Sequence, residues 1–236
     1  MLKAIDFFCS IGGMTTGFKQ AGIKVIAGLD IDPSCKETYE YNNLDSKFIL
    51  SDITNYSFEK LKKETGIKEK DDELVFIGCS PCQYWTIMNT KKEKSEKSKN
   101  LLVDFQRFVE HFLPGYVVVE NVPGILRRKE ESGLNNFIKI LQQNNYTVVY
   151  NILNASKHGV PQIRKRFTLI ASRINEAIKL PEEEKELPTV KKFIGIENGF
   201  EKITHGHIDT TNFIHTTAKL SDKNLRRIKK NQEEWR

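Results

Sequence analysis

Short runs of apolar, β-forming residues recur along this chain, with helical patterns between them. Ile5-Asp6-Phe7-Phe8, Leu74-Val75-Phe76-Ile77 and Tyr116-Val117-Val118-Val119 are three such runs. A strand with almost no polar face has no solvent side, so it belongs in a parallel sheet covered by helices. This constrains the chain to the α/β class, as a doubly wound, mostly parallel sheet. In such a sheet ligands sit outside the carboxyl ends of the strands. The residues that follow each run are therefore the ones to read for chemistry.

Gly78-Cys79-Ser80-Pro81-Cys82-Gln83 follows the second run. Pro81 stiffens that loop. The Cys-x-x-Cys pair admits several readings: a redox motif, half a zinc site, buried filler or a nucleophile. The four cysteines, Cys9, Cys35, Cys79 and Cys82, are too few for a disulfide scaffold. Zinc would need a second ligand pair, and Cys9 and Cys35 are far apart. Glu120-Asn121-Val122 ends the third run. Gln162-Ile163-Arg164-Lys165-Arg166 precedes another, Phe167-Thr168-Leu169-Ile170-Ala171.

The front of the chain reads as a βαβ unit. Strand Leu2 to Phe8 enters the turn Cys9-Ser10-Ile11-Gly12-Gly13, a helix follows to Ala21, and Gly22 ends it. Strand Lys24 to Leu29 then leads to Asp30-Ile31-Asp32, with Pro33 opening the next helix. Glycines let the backbone approach a ligand, and an acid after the second strand accepts ribose hydroxyls. The Gly-x-Gly-x-x-Gly spacing of dehydrogenases is absent, so the nucleoside need not carry a pyrophosphate.

Phe48-Ile49-Leu50 is a third strand, before Ser51-Asp52-Ile53. Ser57 to Thr65, Leu101 to Phe112 and Gly133 to Asn144 read as helices, and Tyr146 to Asn154 as a strand. Tyr84 to Asn100 carries five lysines and two glutamates between Lys91 and Lys99, which suits a solvated loop or a lid. His158 reads as a loop hydrogen-bonder. Leu180 to Leu187 reads as a linker and Phe193 to Phe213 as irregular. Lys219 to Arg236 reads as a basic helix with Ser221 at its N-cap.

The length of 236 residues suits one α/β domain and an appendage, and 39% hydrophobic residues suffice for a core. No apolar run approaches the roughly 20 residues of a membrane span. The N-terminus lacks a signal-peptide pattern, so a cytoplasmic location is expected. A net charge of +6 suits a polyanionic partner.

Taken in order, Asp-x-Phe…Gly-Gly (6–13), Pro-Cys-Gln (81–83), Glu-Asn-Val (120–122) and Gln-x-Arg-x-Arg (162–166) resemble the cytosine-5 DNA methyltransferases of restriction–modification systems. The resemblance covers residues 1–173. It implies a Rossmann-like, S-adenosylmethionine-dependent methyltransferase fold with a reversed last strand. It implies that Phe8, Ser10, Ile11, Gly12, Gly13, Asp30, Ile31, Asp52, Ile53 and Pro81 hold S-adenosylmethionine, with Asp52 and Ile53 reading the adenine. It also implies that Cys82 adds to carbon 6 of a cytosine flipped out of double-stranded DNA. Glu120 would serve ring nitrogen 3, with Asn121 orienting it. Arg164 and Arg166 would hold the carbonyl oxygen and phosphate. No metal is implied. The pair after Pro-Cys-Gln is commonly Phe-Ser or similar in this family; here Tyr84-Trp85-Thr86 follows Gln83.

The expected division is a cofactor-binding catalytic domain over 1–173, then a linker and basic segment over 174–236. After Arg173 none of the family's target-recognition region, Arg-rich helix motif or closing Gly-Asn motif is visible. Some members are split into two chains after this same strand. A partner polypeptide is therefore expected to supply those parts, in preference to an interrupted or truncated gene. A non-catalytic fragment of the same fold and an RNA cytosine methyltransferase are the rival readings.

Overall fold

The computed structural model describes residues 1–80, 101–127, 129–210 and 216–234. Seven strands form one sheet in the order β3-β2-β1-β4-β5-β7-β6. They are β1 (Lys3–Phe7), β2 (Lys24–Asp30), β3 (Lys47–Leu50), β4 (Leu74–Gly78), β5 (Tyr116–Asn121), β6 (Thr147–Asn154) and β7 (Lys165–Ser172). β3, β2, β1, β4 and β5 run parallel, whereas β7 is antiparallel to both β5 and β6. The doubly wound sheet and its reversed last strand are thus both as expected.

The main helices are α1 (Gly13–Gln20), α2 (Lys36–Asn42), α3 (Phe58–Thr65), α4 (Leu101–Phe112) and α5 (Leu134–Gln143). Their ends follow local chemistry. Ser57 accepts a hydrogen bond from the Lys60 N–H at the start of α3, and Gly66 closes it in the left-handed region at φ 69°. After β7, the stretch expected to be irregular from Phe193 opens instead on helical structure. Thr189 caps a short helix, Val190–Ile194, which the 3₁₀ turn Ile196–Asn198 follows. The basic helix is present as Asp222–Glu234.

Helices cover both faces of the sheet. On one, Ile5, Phe7 and Phe76 meet Phe105, Phe108 and Phe112 of α4 in the main core. The Phe7 ring lies 5.1 Å from Phe76 and 5.2 Å from both Phe105 and Phe108. On the other, Ala4, Val25, Val75 and Ile77 pack beneath Met14 and Phe18 of α1. Gly78 allows α4 its close approach, because a Cβ there would stand 2.8 Å from the Phe105 ring. The last residue of β4 is therefore seated directly on α4.

The register aligns the carboxyl ends. Phe7 pairs with both Leu29 and Gly78, Asp30 with Leu50, and Gly78 with Val119. The strand order turns from one side to the other between β1 and β4, the point at which open α/β sheets place their ligands.

Candidate active site

The loop after β1 is held in an unusual backbone shape. Phe8 and Ser10 have φ of 65° and 48°, and Gly12 has 90°. Two non-glycine residues in the left-handed region so close together mark a constrained functional turn. Gly12 is required sterically as well: a Cβ would come within 2.5 Å of Asn43 Nδ2. The Ser10 N–H donates to Asp30 Oδ2 at 2.8 Å, and the Asp32 N–H donates to Asp30 Oδ1 at 3.0 Å. The acid at the end of β2 thereby ties both turns together at the sheet edge. Ile11 and Ile31 stand 56% and 64% exposed beside it, two apolar side chains at a strand end with no core to cover.

Asp52 and Ile53 follow β3 at the same edge. Asp52 Oδ1 accepts from the Thr54 N–H at 3.0 Å and the Thr54 hydroxyl at 2.8 Å. The Ile53 side chain is buried in the main core. Its backbone is thus the part of Ile53 left at this edge.

Across the sheet, β5 ends in Glu120 and Asn121. Strand neighbours point to opposite faces. The Asn121 amide turns to the β4 loop, where Nδ2 donates to Ser80 Oγ at 3.2 Å. Its oxygen accepts from the Val122 N–H at 2.9 Å. These contacts secure Ser80, the last described residue before Pro81, Cys82 and Gln83. Those three, and the whole Tyr84 to Asn100 segment, lie outside the described residues.

Glu120 faces β7. Arg166 Nε lies 2.7 Å from Glu120 Oε1. Arg166 sits within β7, while Arg164 stands just before it. Burial raises the Glu120 carboxyl above its usual range, and the Arg166 and Arg164 cations oppose that rise. The carboxyl is thus held between two opposing effects, a setting suited to sharing a proton.

Three features escaped the sequence reading. Asp6, wholly buried, accepts from the Thr15 hydroxyl at 2.7 Å, and Thr15 lies 3.1 Å from Tyr39 Oη, which lies 2.7 Å from Ser46 Oγ. This chain underlies the glycine turn, and burial pushes the Asp6 carboxyl up to about 7. Cys9 is buried beside Asp6 and Asp30, and its thiol is pushed far above the usual range. It is therefore unsuited to be a nucleophile. Third, Arg107 of α4 donates to the Tyr56 carbonyl at 2.9 Å and also to Ile53. A charge set between the apolar Phe105 and Phe108 was the available signal. His158 donates its N–H to the Ala155 carbonyl, whereas its Nε2 is buried with no hydrogen bond among the described residues. Its hydrogen bonding is thus through the backbone.

No group of three or more metal-ligating side chains forms among the described residues. What converges is a strained turn, a carboxylate, exposed apolar side chains and a half-buried acid paired with arginine. The first three fit a nucleoside-bearing cofactor, and the last fits a ring that must gain a proton.

The profile of the C-5 cytosine-specific DNA methylases matches residues 2–236. The Type II methylase M.HgiDII of Herpetosiphon aurantiacus is 32% identical over 95% of this chain and 62% of its own length. M.XorII of Xanthomonas oryzae is 34% identical over 72% of the chain and 40% of its own. M.AquIA of Picosynechococcus is 30% identical over 76% and 75%. The chain thus spans between two fifths and three quarters of these relatives. Among solved structures, a DNA modification methyltransferase encoded within a prophage of E. coli superposes with a TM-score of 0.72 at 24% identity. That match covers 90% of this chain and 59% of that one. The Entamoeba histolytica methyltransferase EhMeth gives 0.65 at 16%, covering 82% and 60%. These structures share the fold, and the profile and sequence relatives decide the family: the chain belongs to the C-5 cytosine-specific DNA methylases.

Proposed function

We propose that this chain is the catalytic part of an enzyme that methylates carbon 5 of cytosine in double-stranded DNA within a restriction–modification system. The observation that carries this reading is the Glu120–Arg166 pair, one residue along β5 from the Ser80–Asn121 tie that leads into Pro81-Cys82-Gln83. On this reading Phe8, Ser10, Ile11, Gly12, Gly13, Asp30, Ile31, Asp52, Pro81 and the Ile53 backbone hold S-adenosylmethionine. When bound, that cofactor supplies an electrophilic methyl group.

Carbon 5 of cytosine is a poor nucleophile. The Cys82 thiolate adds to carbon 6, and the electron pair of the 5,6 double bond moves into the ring. Glu120 shares its proton with ring nitrogen 3, where negative charge would otherwise build up. Arg166 fixes that carboxyl, and Arg164 and Arg166 together favour anionic groups nearby. Loss of the carbon-5 proton after methylation restores the double bond and expels Cys82. The base must leave the duplex to be reached, and basic side chains hold the backbone phosphates.

Residues 1–173 form the catalytic unit in this proposal, and 174–236 lead toward a recognition region carried by a second polypeptide. Exposed Leu187, Val190, Phe193, Ile194 and Ile196 support such a partner.

Labelled methyl transfer tests the proposal, using this chain alone and with the product of the neighbouring reading frame. Duplex DNA should be labelled at cytosine carbon 5 by the pair, and Glu120→Gln should slow transfer by about 10²–10⁴-fold. Label on RNA would favour an RNA methyltransferase. No label with any partner would favour a non-catalytic subunit. Full sequence-specific activity from the chain alone would remove the second polypeptide.

A further inference from the structure

Arg107 lies on α4 between the buried Phe105 and Phe108, yet its head group reaches a different part of the chain. Nη2 donates to the carbonyls of Ile53, Tyr56 at 2.9 Å and Thr54 at 3.3 Å. The guanidinium packs 4.8 Å from the Phe108 ring and 5.4 Å from Phe58. Its Nε is buried and makes no hydrogen bond among the described residues. Three carbonyls from one four-residue stretch thus converge on a single cation.

That stretch is the turn after β3. Its other restraints are internal: Asp52 Oδ1 holds Thr54, and the Asn55 N–H donates to the Asp52 carbonyl at 3.1 Å. The N–H groups of Thr54, Asn55 and Tyr56 are all bonded within the turn, to Asp52 and Ile53, so its shape depends on these bonds and on the three carbonyls held by Arg107. A planar guanidinium on two aromatic rings is a rigid anchor, which a flexible ammonium is not. Arg107 is partly buried, with its Nε enclosed, so its carbonyl bonds are partly shielded from water and restrain the turn.

We propose that Arg107 is a positioning residue for the adenine end of the cofactor site. It sets the backbone of 52–56 without touching the ligand. The inference rests on the reading above that Asp52 and Ile53 meet the adenine. It also gives α4 a second task. The helix seats the end of β4 through Phe105 and Gly78, and it shapes the adenine turn through Arg107.

Calorimetric titration tests this, using S-adenosylhomocysteine and its analogue carrying hypoxanthine in place of adenine. Both are measured on wild type and on Arg107→Lys, whose folding is verified by circular dichroism. Wild type should prefer adenine. Arg107→Lys should lose about three- to tenfold of that preference, the worth of one hydrogen bond, with the hypoxanthine ligand little changed. Equal weakening of both ligands, or an unchanged preference in a folded variant, would show a merely structural staple and overturn the inference. A wild type that binds neither ligand, or does not discriminate, would instead remove the adenine assignment itself. Hydrogen exchange on the wild type gives a second reading that needs no variant. Amides of 52–56 should gain protection with the adenine ligand and less with the hypoxanthine one, and equal protection would count against Arg107.

Discussion

Asp30 bonds two backbone N–H groups and still has oxygen lone pairs free by its chemistry, so it can serve a ribose as well. Asp30→Ala is expected to weaken S-adenosylmethionine binding by about 1.5–3 kcal/mol, as for hydrogen bonds to a charged group. Asp30→Asn should cost less, because an amide oxygen still accepts from Ser10. Calorimetric titration of both variants checks this; equal affinity in wild type and Asp30→Ala would take Asp30 out of the site. Asp6 carries a different prediction. Its carboxyl titrates near 3.8 when unfolded and at about 7 when folded, because burial disfavours the charge. Between those values the folded state holds the extra proton, so the contribution of Asp6 to stability is full below pH 4 and is lost as pH rises through 7. The loss is about 4 kcal/mol, from the size of the shift. Asp6→Asn should remove that slope, as measured by urea unfolding at pH 5 and pH 8. An Asn variant with an unchanged slope would place the titration elsewhere.

At the scale of the element, the turn after β1 is the most demanding piece. Gly12→Ala meets both a left-handed φ and Asn43 at 2.5 Å. It is expected to cost about 1–3 kcal/mol of stability, the cost of a strained backbone, together with weaker cofactor binding. Thermal unfolding and titration check the two effects. The strands were legible because apolar runs such as Leu74-Val75-Phe76-Ile77 leave few alternatives. The order of Gly12-Gly13, Glu120-Asn121 and Arg164-x-Arg166 pointed to the site through its resemblance to the cytosine-5 DNA methyltransferases, and these residues lie at or just beyond strand ends of the sheet. What sequence could not give was partners distant along the chain. Arg107 meets carbonyls more than 50 residues away, and no local pattern encodes that. Core packing takes the Ile53 side chain, and the Asn121 amide meets Ser80 across to the β4 loop; neither contact has a signature in the local sequence. The helix Val190–Ile194 is short, and its Thr189 cap was the overlooked signal.

For the whole molecule, six strands that run in one direction and one reversed strand inserted between β5 and β6 bring residues from separate stretches of the chain to one edge. Parallel pairing places their carboxyl ends together, and the antiparallel β7 presents its start, with Arg166, at the same edge. The net charge of +6 suits a DNA-bound state. The proposed account turns on Cys82 as the nucleophile at that edge. Its most direct test is trapping on duplex DNA containing 5-fluorocytosine, with S-adenosylmethionine and the neighbouring frame's product present. The fluorine cannot leave as a cation, so the enzyme stays bonded to the base. The account predicts a covalent complex whose DNA-bearing peptide contains Cys82, abolished in Cys82→Ala and retained in Cys79→Ala. A complex that survives in Cys82→Ala, or that only Cys79→Ala removes, would contradict it.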